Sequence, residues 1–293
     1  MSEATTLADG PAPPGPAGVS DFYDRNHLLL TDLFGGSIHS GYWHGPHDIS
    51  GVEVAGARMT DEILDRLDVG PGMRVLDLGC GTGGPGVHLA RWCDAEITGI
   101  SPSAAEVAVA TARAEAAGVS HKIAFRHADA ARMPFPDDTF DRVMAIESVV
   151  HAADRVAWLR EIARVLKPGG RVVLSDFIAR GPEPQDAEDR AAVARLLTAL
   201  RLAARVRVED YPGFLTRSGL EPVEITDLTD HTKYTLGRLC LAIGAHLRER
   251  TGVPEELRLV HDMHENIDWV GHAQQPQTDG VAVVVAEAPR HGG

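Results

Sequence analysis

The chain has 293 residues, enough for one large α/β domain or a domain with a cap, and its 44% hydrophobic and 24% charged content is that of a globular protein with a substantial core. With 42 Asp and Glu against 28 Lys and Arg the formal charge is −14, which opposes general binding to nucleic-acid phosphates or anionic membrane surfaces. Cys80, Cys93 and Cys240 are too few and too scattered for a disulfide framework or a zinc site, and no apolar run nears the roughly 20 residues of a membrane span.

Residues 1–18 are rich in Pro, Gly and Ala without apolar periodicity, which marks a disordered tail. They hold Glu3 and Asp9 but no Lys or Arg, unlike a secretory signal, so a reducing cytoplasm is the expected location. From Ser20 a short amphipathic helix runs to Leu33 and ends at Gly35-Gly36. A turn-rich loop, Ile38 to Pro46, follows and is dense in aromatic and imidazole groups. Val54, Ala57, Met59, Ile63, Leu64 and Leu67 then keep helical spacing until Gly70-Pro71-Gly72.

Val75 to Leu78 reads as strand one, and a helix carrying Val87, Leu89, Ala90 and Trp92 comes after the glycines. Ala95 to Ile100 is strand two. Beyond it a helix starts either with Ser101 as N-cap and Pro102 at the first position, or with Ser103 and Glu106 as a capping box, and ends at Gly118. Strands follow at Ile123–His127, Phe140–Ile146 and Arg171–Phe177, the last two separated by a helix with Val156, Leu159, Ile162, Ala163 and Leu166 on one face. Alternating β and α with short links predicts a doubly wound, mostly parallel sheet of the Rossmann-like α/β class. The helical text from Gly181 to Arg217, with Val193, Leu196, Leu197, Leu200, Leu202 and Val206, is a candidate cap. Glu221–Leu228 reads as strand six, Leu236–Leu247 and Leu257–Val270 as helices, and Gly280–Ala286 as a seventh, edge strand.

The organising stretch is Val75-Leu76-Asp77-Leu78-Gly79-Cys80-Gly81-Thr82-Gly83-Gly84: an apolar strand, an acid, then glycines leading into a helix. Glycine lets a ligand approach the main chain, and the helix start offers unpaired N–H groups. A dinucleotide fingerprint carries its acid about twenty residues after the glycines. Here Asp77 precedes Gly79 by two residues, which suits a ligand with an ammonium group rather than a pyrophosphate.

VLDLGCGTGG resembles motif I of the class I S-adenosylmethionine-dependent methyltransferases. That resemblance implies S-adenosylmethionine as cofactor and a seven-stranded sheet over residues 19–293, with an N-terminal lid at about 20–60 and helical caps at about 180–217 and 230–272. It also implies that Gly79 and Gly81 pass beneath the methionine part, that Asp77 faces its ammonium, and that Asp129 with Ala130 meets the adenine. On its own Asp129 reads as a turn acid. Most such enzymes carry an acid at the end of strand two, where this chain has Ser101 within Gly99-Ile100-Ser101, so Ser101 becomes a weaker ribose ligand; Glu106 could compensate or be a capping acid. Ile38-His39-Ser40-Gly41-Tyr42-Trp43 resembles the IHxGYW segment of a small-molecule subgroup, which makes Tyr23, His39, Tyr42 and Trp43 lid and cofactor candidates, although paired aromatics in a loop also serve as plain anchors.

Glu147-Ser148-Val149-Val150-His151-Ala152-Ala153-Asp154-Arg155, with Ser175-Asp176-Phe177 ending strand five, resembles the natural-product and rebeccamycin-type sugar O-methyltransferases. The implied chemistry is in-line methyl transfer to a small-molecule hydroxyl, with His151 as general base, Asp176 orienting it, and Glu147 in the cofactor site. Some relatives carry two adjacent histidines there; Val150 leaves one. No metal is called for by His39, His44 and His47, which lack helical spacing and a fourth ligand, while His264, Asp268 and His272 share a helical face expected to line the pocket or meet solvent. Alternatives left open are C-methylation of an isoprenoid, sterol or polyketide, in which Glu147, Tyr42 and Trp43 would stabilise a carbocation, a cyclase that uses the cofactor structurally, and a non-catalytic partner. Homodimerisation is also left open.

Overall fold

The computed structural model describes residues 16–181, 186–249, 253–264, 267 and 277–290. Short apolar strands and amphipathic helices assemble into one mixed sheet of β1 (Arg74–Leu78), β2 (Glu96–Ser101), β3 (Ile123–His127), β4 (Phe140–Ile146), β5 (Leu166–Ala179), β6 (Val206–Arg207), β7 (Glu221–Asp227) and β8 (Asp279–Glu287). The order is β3-β2-β1-β4-β5-β8-β7, with the two-residue β6 attached beside β5. Strands β1 to β5 run parallel, and β8 is antiparallel to both of its neighbours.

Two expectations about strands are corrected. The sheet has an additional short strand, β6, and Gly280–Ala286 is not an edge: β8 lies between β5 and β7, with Val281 to Ala286 buried. An unbroken Val/Ala run is the signature of a strand covered on both faces. The edge belongs to β7, whose Glu221, Glu224 and Pro222 suit an exposed margin.

Period-two alternation divides the side chains between two cores. Leu76, Leu78, Val143, Val172, Leu174 and Val284 pack with α5 (Arg155–Val165) and α7 (Tyr211–Ser218). Val75, Met144, Val173 and Val283 pack on the opposite face with α2 (Val52–Leu67), α3 (Gly84–Trp92) and α4 (Ala104–Ala116). Helix α2, whose Met59, Ile63 and Leu67 are fully buried, is part of the body although its first half, to Thr60, falls within the expected lid. The same holds for α7, through Tyr211 and Leu215, within the first expected cap.

A third, smaller core stands apart from the sheet. Phe22, Leu30 and Leu33 of α1 (Pro16–Leu33) meet Cys240 and Ile243 of α9 (Thr235–Glu249), which follows the one-turn α8 (Thr229–Thr232), and Leu257 and Val260 of α10 (Glu255–His264). Partly buried Leu196 and Leu200, from α6 (Ala187–Ala199) and its C-terminal end, pack against it. The helix α1 starts inside the segment expected to be tail, and α10 includes residues 257–264 of the expected Leu257–Val270 helix; residues 265, 266 and 268–276, with Asp268 and His272, lie outside the described residues. Among the described residues no helix is long and apolar enough to cross a membrane.

Alternation also decides the place of Asp176. It shares a face with Val172 and Leu174, so its fully buried carboxylate points between α5 and α7 and away from the strand-end crevice. There it accepts from Arg155 Nε at 3.2 Å, Arg155 Nη2 at 3.3 Å and the Tyr211 hydroxyl at 2.6 Å. Removing one member of a buried ion pair strands the other charge, at a cost of about 3–5 kcal/mol. Asp176→Ala is accordingly expected to lower the unfolding free energy by about that amount, read from the urea midpoint; an unchanged midpoint would contradict a pinning role.

Candidate active site

The carboxyl ends of the parallel strands open into a cavity of about 360 Å³, the size class of one small-molecule ligand. Its floor is the turn after β1. Gly79, Gly81 and Gly83 have φ of +77°, +51° and +81°, the left-handed region that glycine enters without strain. A Cβ on Gly79 would stand 2.3 Å from the Ser148 side chain, so the close approach of two strand ends also requires glycine there.

Three carboxyl groups face this cavity without a basic partner. Asp77 is 1% exposed; it accepts the Gly86 N–H at the start of α3, and its Oδ2 has no partner. Glu106 is 3% exposed; its Oε2 accepts from the Ser101 hydroxyl at 2.7 Å and its Oε1 has no partner. Glu147, a non-glycine residue at φ +47°, accepts the Ser40 N–H at 2.9 Å. Burial pushes all three up to about 7. Asp129 and Asp154 add two more acids to the wall, so the charged side chains of the lining are acidic among the described residues. An acidic cavity with orphaned buried oxygens fits a cationic ligand that also carries hydroxyl or amino donors.

Glu106 is the residue that sequence reasoning undervalued. Its backbone N–H donates to Ser103 Oγ, as the cap reading requires, but its carboxylate does not return to Ser103. The Ser103 N–H is taken by Ser101 Oγ at 3.0 Å, which frees Glu106 to turn into the cavity. The Ser101 hydroxyl proton is committed to Glu106, so Ser101 is a support for the acid rather than a donor to a ligand. An acid five residues after the serine at a strand end was the available signal. Asp129 and Ala130 line the cavity, with one Asp129 oxygen held by the Ala131 N–H at 2.9 Å.

His151 sits on a 3-10 turn, Val149–His151, directly after β4. Its Nδ1 lies 2.7 Å from the carbonyl of Arg201, which can only accept, so Nδ1 carries the hydrogen. Nε2 is then the lone pair, and it accepts from the Tyr23 hydroxyl at 2.9 Å. Burial, more than any neighbour, holds the imidazole below its usual range and therefore neutral. Both ring nitrogens are occupied, so Asp176 is not the partner of His151, which corrects the expected His–Asp pair.

The Ile38–Trp43 loop divides. His39 lines the cavity as a fixed wall, neutral through burial, with Nδ1–H donating to the Ser40 carbonyl at 2.9 Å and Nε2 accepting from Thr60 Oγ1 at 3.2 Å. Tyr42 and Trp43 do not line it. Tyr42 stacks on His231 with centroids 4.2 Å apart, and the fully buried Trp43 donates Nε1–H to the Ser50 carbonyl at 3.1 Å. These two anchor the loop. The cover over the cavity comes instead from α1, through Val19 and Tyr23. His44 and His47 lie on a surface turn with Asp48, and His264 Nδ1–H donates to the Val260 carbonyl at 2.7 Å.

A family model described as a methyltransferase domain matches residues 76–174, the span from the glycine turn to β5. Methyltransferase GfsG of Streptomyces halstedii is 39% identical over 217 residues, 74% of this chain and 77% of that one. The 27-O-demethylrifamycin SV methyltransferase of Amycolatopsis mediterranei is 38% identical over 220 residues, 75% of this chain and 79% of its own length. The crystal structure of the 4+2 cyclase SpnF superposes with a TM-score of 0.80 at 28% identity, covering 97% of this chain and 100% of that one. The chain therefore belongs to the class I S-adenosylmethionine-dependent methyltransferases, and within them to those of small-molecule secondary metabolism.

Proposed function

We propose that the enzyme methylates a hydroxyl group of a small natural product or sugar, with His151 as the general base. The observation that carries this reading is the state of His151: a buried, neutral imidazole whose tautomer is set by the Arg201 carbonyl and whose Nε2 lone pair faces the cavity wall. An alcohol must lose its proton as its oxygen is alkylated, and imidazole accepts protons near neutral pH. When bound, S-adenosylmethionine supplies a methyl group activated by a positively charged sulfur. Toward it, Gly79 and Gly81 form the floor beneath the methionine part, and Asp77 takes the ammonium on its free Oδ2. Glu106 takes the ribose hydroxyls on Oε1, Asp129 and Ala130 flank the adenine, and Glu147 holds Ser40 and faces the remaining positive charge.

Of the three groups that alkene C-methylation would use to stabilise a carbocation, Glu147 lines the cavity, whereas Tyr42 and Trp43 are loop anchors away from it, so this alternative finds less support. The second reading that an observation favours is a cyclase using the cofactor structurally, because the likeness to SpnF covers 97% of the chain. Release of S-adenosylhomocysteine when an acceptor is supplied separates the two, because a cyclase transforms its substrate without consuming the methyl donor.

His151→Ala is expected to keep cofactor affinity within about twofold in titration calorimetry while turnover falls about 10²- to 10⁴-fold. Because the imidazole lies below its usual range, the wild-type rate at saturating cofactor should decline with falling pH only below the range in which an ordinary imidazole takes up its proton. A rate indifferent to both the substitution and pH would remove the base from His151. For the donor site, a cation favours ionised carboxyls, and protonation of Asp77, Glu106 and Glu147, each near 7, competes with it. Affinity for S-adenosylmethionine should therefore rise from about pH 6 to about pH 8 by about tenfold for each of these carboxyls that binding requires ionised, with protons released on binding. Glu106→Ala should weaken S-adenosylmethionine and S-adenosylhomocysteine alike by about 10- to 100-fold, since both carry the ribose; equal binding by the variant would place the hydroxyls elsewhere.

A further inference from the structure

The proton path from the acceptor has a feature that the general-base reading leaves open. The tautomer argument leaves His151 one lone pair, on Nε2, and that lone pair already accepts the Tyr23 hydroxyl at 2.9 Å. The rings meet edge to face, with centroids 5.5 Å apart and planes at 88°, so the phenol comes to the imidazole edge and covers it. On the other side His151 is held by residues of the cap segment. The Arg201 carbonyl is turned toward Nδ1 by a left-handed backbone at φ +57°, and the Ala203 N–H donates to the Val150 carbonyl at 2.9 Å. Neither arrangement lets the ring rotate to offer a second nitrogen.

Tyr23 itself stands at a boundary. It lines the cofactor cavity beside His39, Glu147 and His151, and it packs against the apolar cap core with Ile38, Leu196, Leu200 and Leu236. The phenol thus stands between the cap core and the imidazole nitrogen it covers. We propose that Tyr23 is a catalytic residue that relays the proton of an apolar alcohol to His151, and this rests on His151 being the base. In the relay the acceptor oxygen forms its bond to the methyl carbon as the sulfur–methyl bond breaks and its electron pair stays on sulfur. The acceptor proton passes to Tyr23 Oη, and the Tyr23 proton passes to His151 Nε2. One positive charge leaves the sulfur and one appears on the imidazole, whose Nδ1–H remains on the Arg201 carbonyl.

The phenol cannot serve alone. Burial, then Glu106 and Glu147, hold it protonated far above neutral pH, so it takes a proton only while giving one up. The relay and the direct path make opposite predictions for Tyr23→Phe. If Tyr23 passes the proton, the variant loses its path; if Tyr23 merely covers Nε2, the variant exposes the base and works as well or better.

The test uses the full chain with S-adenosylmethionine and two apolar probes, 2-naphthol and 1-decanol, with S-adenosylhomocysteine formation read by mass spectrometry. Tyr23→Phe is expected to lower kcat about 100-fold, the scale of one lost proton-transfer group, with cofactor Kd within about twofold. The double variant with His151→Ala should be no slower than the slower single variant, because the two groups act as one unit. Nitrogen-15 NMR of the protein loaded with S-adenosylhomocysteine should show an unprotonated His151 Nε2 whose signal moves in Tyr23→Phe; an unmoved signal overturns the contact and the relay. A Tyr23→Phe enzyme that keeps its rate beside an inactive His151→Ala overturns the relay alone. An active His151→Ala enzyme removes the general-base reading and the relay with it.

Discussion

The structure depends on carboxyl groups that are buried without bases beneath a turn made of left-handed glycines. Asp77 and Glu106 each keep an oxygen with no partner while almost wholly removed from solvent. Left uncompensated, such groups are destabilising, and here they adopt the neutral form more readily than exposed acids do. Such groups are matched by a cation from outside the chain, as the proposed cofactor site supplies. The overall charge of −14 thus acquires a local meaning: negative potential is gathered at the strand ends where a positively charged methyl donor has to settle.

Strand alternation assigns different roles to similar residues. Asp77 and Asp176 both stand near the carboxyl ends of parallel strands, β1 and β5, which flank β4. Asp77 faces α3 and the cavity; Asp176 faces α5 and α7, where Arg155 and Tyr211 consume its hydrogen-bonding capacity. One is exposed to a ligand and the other welds two helices to the sheet. Counting parity from Val172 and Leu174 would have separated them before any coordinates were known.

The surroundings of His151 are assembled from distant segments. His151 comes from the turn after β4, Tyr23 from α1, and the carbonyl that sets the imidazole tautomer from Arg201, fifty residues downstream of His151. The cap has its own small apolar core, distinct from the two cores of the sheet, so an imidazole rooted in the body is completed by groups rooted in the cap. Site and cover are thereby coupled: His151 has its full set of hydrogen-bond partners only with α1 and the segment after α6 in place.

The order of strands and helices, the glycine turn and the line of residues at the strand ends were legible in the sequence, because they follow from local rules. Apolar periodicity, helix caps and the positive-φ requirement of Gly79 and Gly81 each act within a few residues. Even β8 carried its interior position in its unbroken Val/Ala run, though strand number and order remained a tertiary matter. What only the fold decided are contacts made by packing: Tyr42 stacked on His231 and Trp43 buried as loop anchors, Tyr211 brought to Asp176, and Tyr23 and the Arg201 carbonyl set against His151. A side chain's role depends on which donor or acceptor reaches it first. That competition is settled by packing, which no spacing rule along the chain records.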